Sequence, residues 1–231
     1  RLDVLRVTAP AVTVAVAGVA EVVPFAGVGL ARGSDAAFWA DARGACALGE
    51  AGARAEYGGL ALIDALGTSG TFTLLAGVPR AALRLCYRFG AEPFAFFDDV
   101  TLLAREVTGP RSTTAVVGAV KTVAFDGVGL APSDGAFWLP PTAAALEGTA
   151  DALELGAALC ADAAVGSDPP DGGVQTLSAA LGATFTFATA RERSALCYRH
   201  AGKPWRMYEN LRLLVAQIQG PARTLAVAGV E

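Results

Sequence analysis

Internal repetition is the feature that most narrows what this chain can become. Phe25-Ala-Gly-Val-Gly-Leu30 recurs as Phe125-Asp-Gly-Val-Gly-Leu130, and Ser34-Asp35-Ala-Ala-Phe38-Trp39 recurs as Ser133-Asp134-Gly-Ala-Phe137-Trp138. Thr71-Phe-Thr73 returns as Thr184-Phe-Thr186, and Leu85-Cys-Tyr-Arg88 as Leu196-Cys-Tyr-Arg199. Pro93-Phe94 matches Pro204-Trp205, and Phe97-Asp-Asp-Val100 matches Tyr208-Glu-Asn-Leu211. Each copy closes on Gly-Pro, at Gly109-Pro110 and Gly220-Pro221. Blocks repeated in one order across so many positions are not produced by chance.

The repeat sets expected boundaries. Residues 1–10 resemble the tail of a preceding copy, and residues 11–109 and 110–220 are two whole copies. Residues 221–231 resemble the start of a following one, because Leu225-Ala-Val-Ala-Gly229 matches Val14-Ala-Val-Ala-Gly18. The expected parent is therefore an array longer at both ends. The copies differ most between the Trp of Phe-Trp and the next cysteine. Six residues separate Trp39 from Cys46, and twenty-one separate Trp138 from Cys160. Insertions are tolerated where backbone is exposed, so these segments read as surface loops.

Alternating apolar segments bounded by Gly, Pro and Asp predict strands. In the first copy they are Val12–Ala17, Glu21–Leu30, Ala36–Ala40, Leu60–Ile63, Thr71–Leu75, Ala82–Phe89 and Asp98–Glu106. The Ala/Leu-rich stretch Thr142–Ala164 predicts a short helix in the second copy's insertion. Seven short strands in about one hundred residues, without alternating helices, predict an all-β Greek-key sandwich. The Cys-Tyr pair late in each copy resembles the penultimate strand of an immunoglobulin-like domain, so the fold class expected is two tandem immunoglobulin-like modules. In Leu83–Phe89 one face is apolar and the other carries Arg84, Cys86 and Arg88, so an inward Cys86 would need a bulge or a tolerant sheet face, and its direction is open at this point.

Each copy carries two cysteines, Cys46 and Cys86, then Cys160 and Cys197. Pairing within a copy is the parsimonious arrangement, and each bridge would close a loop of about 40 residues, worth about 4 kcal/mol in chain entropy. Buried thiols of a cytosolic protein are the alternative; retention of both cysteines in both copies favours bridges. Disulfides would place the chain outside the cell or at its surface.

Residues capable of chemistry are few. His200 is the single histidine and has no counterpart in the first copy, so it reads as a packed or surface residue. No catalytic residue, metal ligand or cofactor is expected, and the chain reads as a non-enzyme. Asp35 and Asp134, and Asp168-Pro-Pro-Asp171, could be asked to bind calcium; turn chemistry and solubility are the plainer reading. Gly27-Val-Gly29 lacks the third glycine, the lysine and the helix of a phosphate cradle, and its recurrence fits a bulge or a close strand crossing. Phe94, Phe97, Trp205 and Tyr208, at the turn into the last strand, are the candidates for ligand or partner contact. The competing reading is a repeated core plug, and their duplication favours it.

The chain is 53% hydrophobic with 17% charged residues and a net charge of −4. A nucleic-acid partner is excluded, because the basic residues are scattered and not gathered in a stripe. No membrane span is expected, since the most apolar region is broken by Thr13, Glu21 and Pro24.

Taken together, Phe-x-Gly-x-Gly-Leu, Ser-Asp-x-x-Phe-Trp, Phe-Thr and Leu-Cys-Tyr-Arg resemble modules repeated in very large surface proteins of algae and other protists. Those modules are similar to immunoglobulin-like and IPT/TIG sandwiches, and some build cell coats or flagellar hairs (mastigonemes). The resemblance implies a structural or adhesive repeat, acting through module faces and stiff Gly-Pro junctions. Its implied partners are neighbouring repeats, identical chains in a filament, or other surface glycoproteins. A glycan- or protein-binding module, working through the aromatic turn and the variable loops, is the alternative.

Overall fold

The computed structural model describes residues 5–10, 12–30, 33–64, 68–78, 81–110, 112–140, 150–165, 171–218 and 220. The expected start of a following copy at 221–231, residues 1–4, and most of the Ser167–Gly173 loop lie outside these residues. The strands and helices run in the order β1 (Arg6–Ala9), β2 (Val12–Val16), β3 (Ala20–Pro24), β4 (Ala26–Val28), β5 (Ala36–Ala40), α1 (Arg43–Ala47), β6 (Ala61–Leu62), β7 (Ser69–Thr73), β8 (Ala82–Arg88) and β9 (Ala95–Gly109). They continue with β10 (Ser112–Val116), β11 (Val120–Ala124), β12 (Asp126–Val128), β13 (Gly135–Leu139), α2 (Ala150–Val165), β14 (Gln175–Thr176), β15 (Gly182–Thr186), β16 (Arg191–Arg199) and β17 (Arg206–Ala216). Two compact units result, one of residues 1–108 with 126–131, the other of 109–125 with 132–231.

In the first unit β6, β5, β8 and β9 form one sheet, with β2 added in parallel to β9 and β12 on the far part of β9. Antiparallel β3 and β7 form the facing layer. Between the layers lie Val23 from β3, Phe72 from β7, Trp39 from β5, Leu85 and Tyr87 from β8, and Leu102 and Ala104 from β9. Trp39 meets Phe72 edge-on across the core, with ring centroids 5.7 Å apart. The second unit repeats the plan. Its sheet runs β14, β13, β16, β17, β10, with β11 and β15 paired opposite. Trp138 meets Phe185 at 6.4 Å in the place of Trp39 and Phe72. A parallel first strand on the last strand, and a tryptophan-bearing central strand facing a two-stranded layer, make this an immunoglobulin-like all-β fold.

Two differences from the sequence expectation have physical causes, and a third is one of length. The segment expected as one strand, Glu21–Leu30, is two, because Phe25 drops its ring into the core and the chain then leaves β7 to pair with β1. The last strand is longer than expected at both ends, Ala95–Gly109, because its start pairs with the end of β8 past a register shift and its far end is paired by β12. The helix in the second insertion is 16 residues long rather than short.

The loop after α2 is tied at Asp171. Its carboxylate accepts bonds from the Ala188 N–H at 2.7 Å, the Thr189 N–H at 2.9 Å and the Thr189 hydroxyl at 2.6 Å. Burial pushes this carboxyl up, but those donors, with Arg191 at 3.7 Å, outweigh it and hold it below the usual aspartate range. A depressed carboxyl stabilises above its unfolded pKa and loses that stabilisation as pH falls through the folded value. Asp171→Asn is therefore expected to cost about 2 kcal/mol at neutral pH, with the two proteins converging as the buffer is taken to about pH 2. Urea titrations across that range check it; a gap independent of pH would contradict it.

Candidate functional site

The residues singled out in sequence fall on two faces of the same sheet. Alternation along β8 sends Leu83, Leu85 and Tyr87 into the sandwich and Cys86 to the outer side. There Cys86 joins Phe38, Ala40 and Cys46 in a small second core, with Phe94 and Phe96 packed against it. Cys46 arrives from α1 and is bonded to Cys86, with Cα atoms 5.4 Å apart. In the second unit Cys160 arrives from α2 and is bonded to Cys197, at 5.7 Å. Each bridge therefore pins a helix onto the outside of the sheet, and does not cross the sandwich between its layers.

Phe94 and Trp205 belong to this outer core. Phe94 meets Phe38 edge-on at 5.0 Å, and Trp205 meets Phe137 at 4.9 Å. Trp205 is only 7% exposed. The larger ring is accommodated at Gly135, which stands where the first copy has Ala36: a Cβ there would sit 2.9 Å from the indole. A methyl lost on one strand thus answers a ring enlarged on the neighbouring loop, as a jigsaw core requires. Arg88 lies over Phe94 at 5.0 Å, and Arg199 over Trp205 at 4.8 Å. Arg88 also pairs with Glu50 at 2.8 Å. Beside them opens a shallow cleft of about 330 Å³, lined by Cys46, Glu50, Arg88, Glu92, Pro93 and Phe94.

Phe97 and Tyr208 lie elsewhere. Phe97 packs on the main sandwich core and approaches Phe89 at 6.3 Å. Tyr208 is half-buried beside Tyr198, with centroids 6.4 Å apart. The four aromatics are thus not brought together as one binding surface in either unit.

A second recurring constellation is wholly internal. Asp35 is fully buried and accepts from the Tyr87 hydroxyl at 2.8 Å and the Gly90 N–H at 2.7 Å. Asp134 does the same for Tyr198 and the Ala201 N–H, both at 2.8 Å. This explains why Ser-Asp and Cys-Tyr travel together: each carboxylate ties the start of one central strand to the end of the next. His200 replaces Phe89 beside this tie, 2% exposed, with Nδ1 3.5 Å from an Asp134 oxygen. Pairwise sequence reasoning missed the tie, although a buried acid recurring with a tyrosine in both copies was a usable signal.

Burial first, then the bond to Asp35 and its charge, push the Tyr87 hydroxyl well above the usual tyrosine range. A raised group stabilises fully below its unfolded pKa and loses that contribution as pH rises. The chain is accordingly expected to lose stability above about pH 10, where unfolded tyrosine ionises. Tyr87→Phe is expected to flatten that decline in thermal melts between about pH 9 and 11 while lowering stability by about 2 kcal/mol at neutral pH, because it removes a donor to a buried carboxylate. An alkaline limb unchanged in the variant would count against this assignment.

No protein-family model matches the chain, and no curated protein matches it. Among solved structures it is similar to the Bacteroides ovatus mixed-linkage glucan utilization locus protein SGBP-B, solved with a mixed-linkage heptasaccharide, at 9% identity and a TM-score of 0.26. That match covers 88% of this chain and 43% of that one, so the chain spans less than half of its length. Similarity extends to extracellular domains 3–5 of Drosophila OTK, at 10% identity, 92% and 66% coverage and a TM-score of 0.25. It extends also to the two tandem V-type regions of VCBP3, a v-region-containing chitin binding protein, at 10% identity, 93% and 99% coverage and a TM-score of 0.27. Likeness this weak carries no inference about ligand or partner.

Proposed function

We propose that this chain is part of a non-enzymatic structural or adhesive tandem array in a large extracellular protein, such as a cell coat, filament or flagellar appendage. One observation carries the reading. The recurring motifs are accounted for by fold: Phe-Trp and Phe-Thr build the core, Ser-Asp and Cys-Tyr build the buried tie, and Cys with Pro-Phe/Trp builds the outer core. What recurs is scaffold, and what varies is insertion. All four cysteines are bonded, which supports an oxidising compartment. Among the described residues no helix is long and apolar enough to cross a membrane. Antibodies raised to this chain should label the surface of intact, unpermeabilised source cells; labelling only after permeabilisation would sink the proposal.

A binding role is the second reading, and the cleft beside Phe94 is the observation that favours it. Its test is a glycan array probed with the chain and with Arg88→Ala. Retention that depends on Arg88 would support binding there.

A further inference from the structure

The repeated Phe-x-Gly-Val-Gly-Leu segment receives a strand that, by sequence, belongs to the copy before it. In the first unit, β4 within that segment pairs antiparallel with β1, Val7 standing opposite Gly27. A Cβ on Gly27 would overlap the Arg6 carbonyl oxygen, and one on Gly127 would overlap the Glu106 carbonyl oxygen. These glycines are seats for a strand passing directly over them. The strand seated at Gly27 lies three residues ahead of Pro10, and the one at Gly127 three ahead of Pro110. At that position stand Val7, 0% exposed, and Val107, 4% exposed. Val7 enters the same core as Val23, Phe25 and Tyr87.

The corresponding residue three ahead of Pro221 is Ile218, and it is 78% exposed. The strand carrying it is also shorter. β9 runs to Gly109 beneath β12, whereas β17 stops at Ala216, the equivalent of Arg105. The difference of length falls on the stretch that is seated in the other two cases.

We propose that the chain at Gln217 and Ile218 docks on a further copy of this module. It would seat opposite the first glycine of that copy's Phe-x-Gly-Val-Gly-Leu segment, with Ile218 entering its core. The inference rests on the array reading, but the two fail separately. A parent sequence with no further copies would sink the array reading and leave the docking test standing.

The test appends a third copy, residues 121–220, in frame after Glu231 of the full chain. Hydrogen exchange across residues 214–220 is expected to slow at least tenfold on extension. Ile218→Asp is expected to shift melting by no more than about 1 °C in the 231-residue chain, and to lower the third module's melting by at least about 5 °C in the extended one. Ile218→Val, which restores the residue of the two seated strands, should leave the extended chain within about 1 °C. Gly127→Val placed in the appended copy alone should abolish the protection. Exchange at 214–220 unchanged by extension, or Ile218→Asp equally silent in both chains, overturns the proposal.

Discussion

Replacing Cys160 and Cys197 together by alanine is expected to lower the stability of the second unit by about 4 kcal/mol. The bridge closes 37 residues of chain and sits fully buried under α2. Its loss frees the unfolded ensemble and also releases the helix. An isolated helix of this length is marginal in water, and α2 is held by Cys160 together with packing of Leu159, Ala163 and Ala164 beside Trp205 and Met207. The helical signal should therefore fall before the sheet melts. The first unit should behave likewise on replacing Cys46 and Cys86, with a larger relative loss of local order, since α1 has only five residues. Urea unfolding followed separately by far-ultraviolet circular dichroism and by tryptophan fluorescence checks both. A penalty under about 1 kcal/mol for either pair would show that the bridge adds little to what packing supplies.

Gly127→Val is the second large effect expected. A side chain there meets the Glu106 carbonyl and the Val107 Cα, both backbone atoms that cannot swing aside. β12 must then leave β9, exposing Val107 and breaking the strand pairing. Re-exposing one buried aliphatic side chain costs about 2 kcal/mol, and the lost pairing adds about 1 kcal/mol per hydrogen bond. A total near 3 kcal/mol is the expected outcome in chemical denaturation. Gly44→Ala is the control: nothing lies within 4 Å of its Cβ, and it sits in α1, so that variant should be neutral or slightly more stable. Equal penalties at Gly44 and Gly127 would refute the seating argument.

Much of the architecture was readable because both copies vote on each element. The strands of the first copy lie close to where alternation puts them, and Phe-Trp marks the central strand of each sandwich. The side of the sheet that Cys86 occupies was not readable. Every residue of β5 is buried, including the adjacent Phe38 and Trp39, because the sheet is covered on one side by β3 and β7 and on the other by α1 and Phe94. Alternation distinguishes faces only when one of them meets water. The purpose of Gly27 was half legible. Its recurrence predicts a close crossing, but the crossing strand, β1, belongs by sequence to the preceding copy, and no local pattern names it. The aromatic turn was legible as a unit, but not the way its rings part in the fold. Phe94 and Phe97 are three residues apart in sequence and pack against different cores, because the chain enters β9 between them.

The covalent clasp on the outer sheet face has a consequence for how such a module can change. Between the core tryptophan and the first half-cystine the chain may take six residues or twenty-one, yet the bonded Cα atoms stay 5.4 and 5.7 Å apart. Lengthening a loop that is already closed adds only about 0.6 kcal/mol per doubling. The stretch between Trp138 and Cys160 can therefore take on new sequence behind a latched door, while the bonded strand beneath it keeps its place.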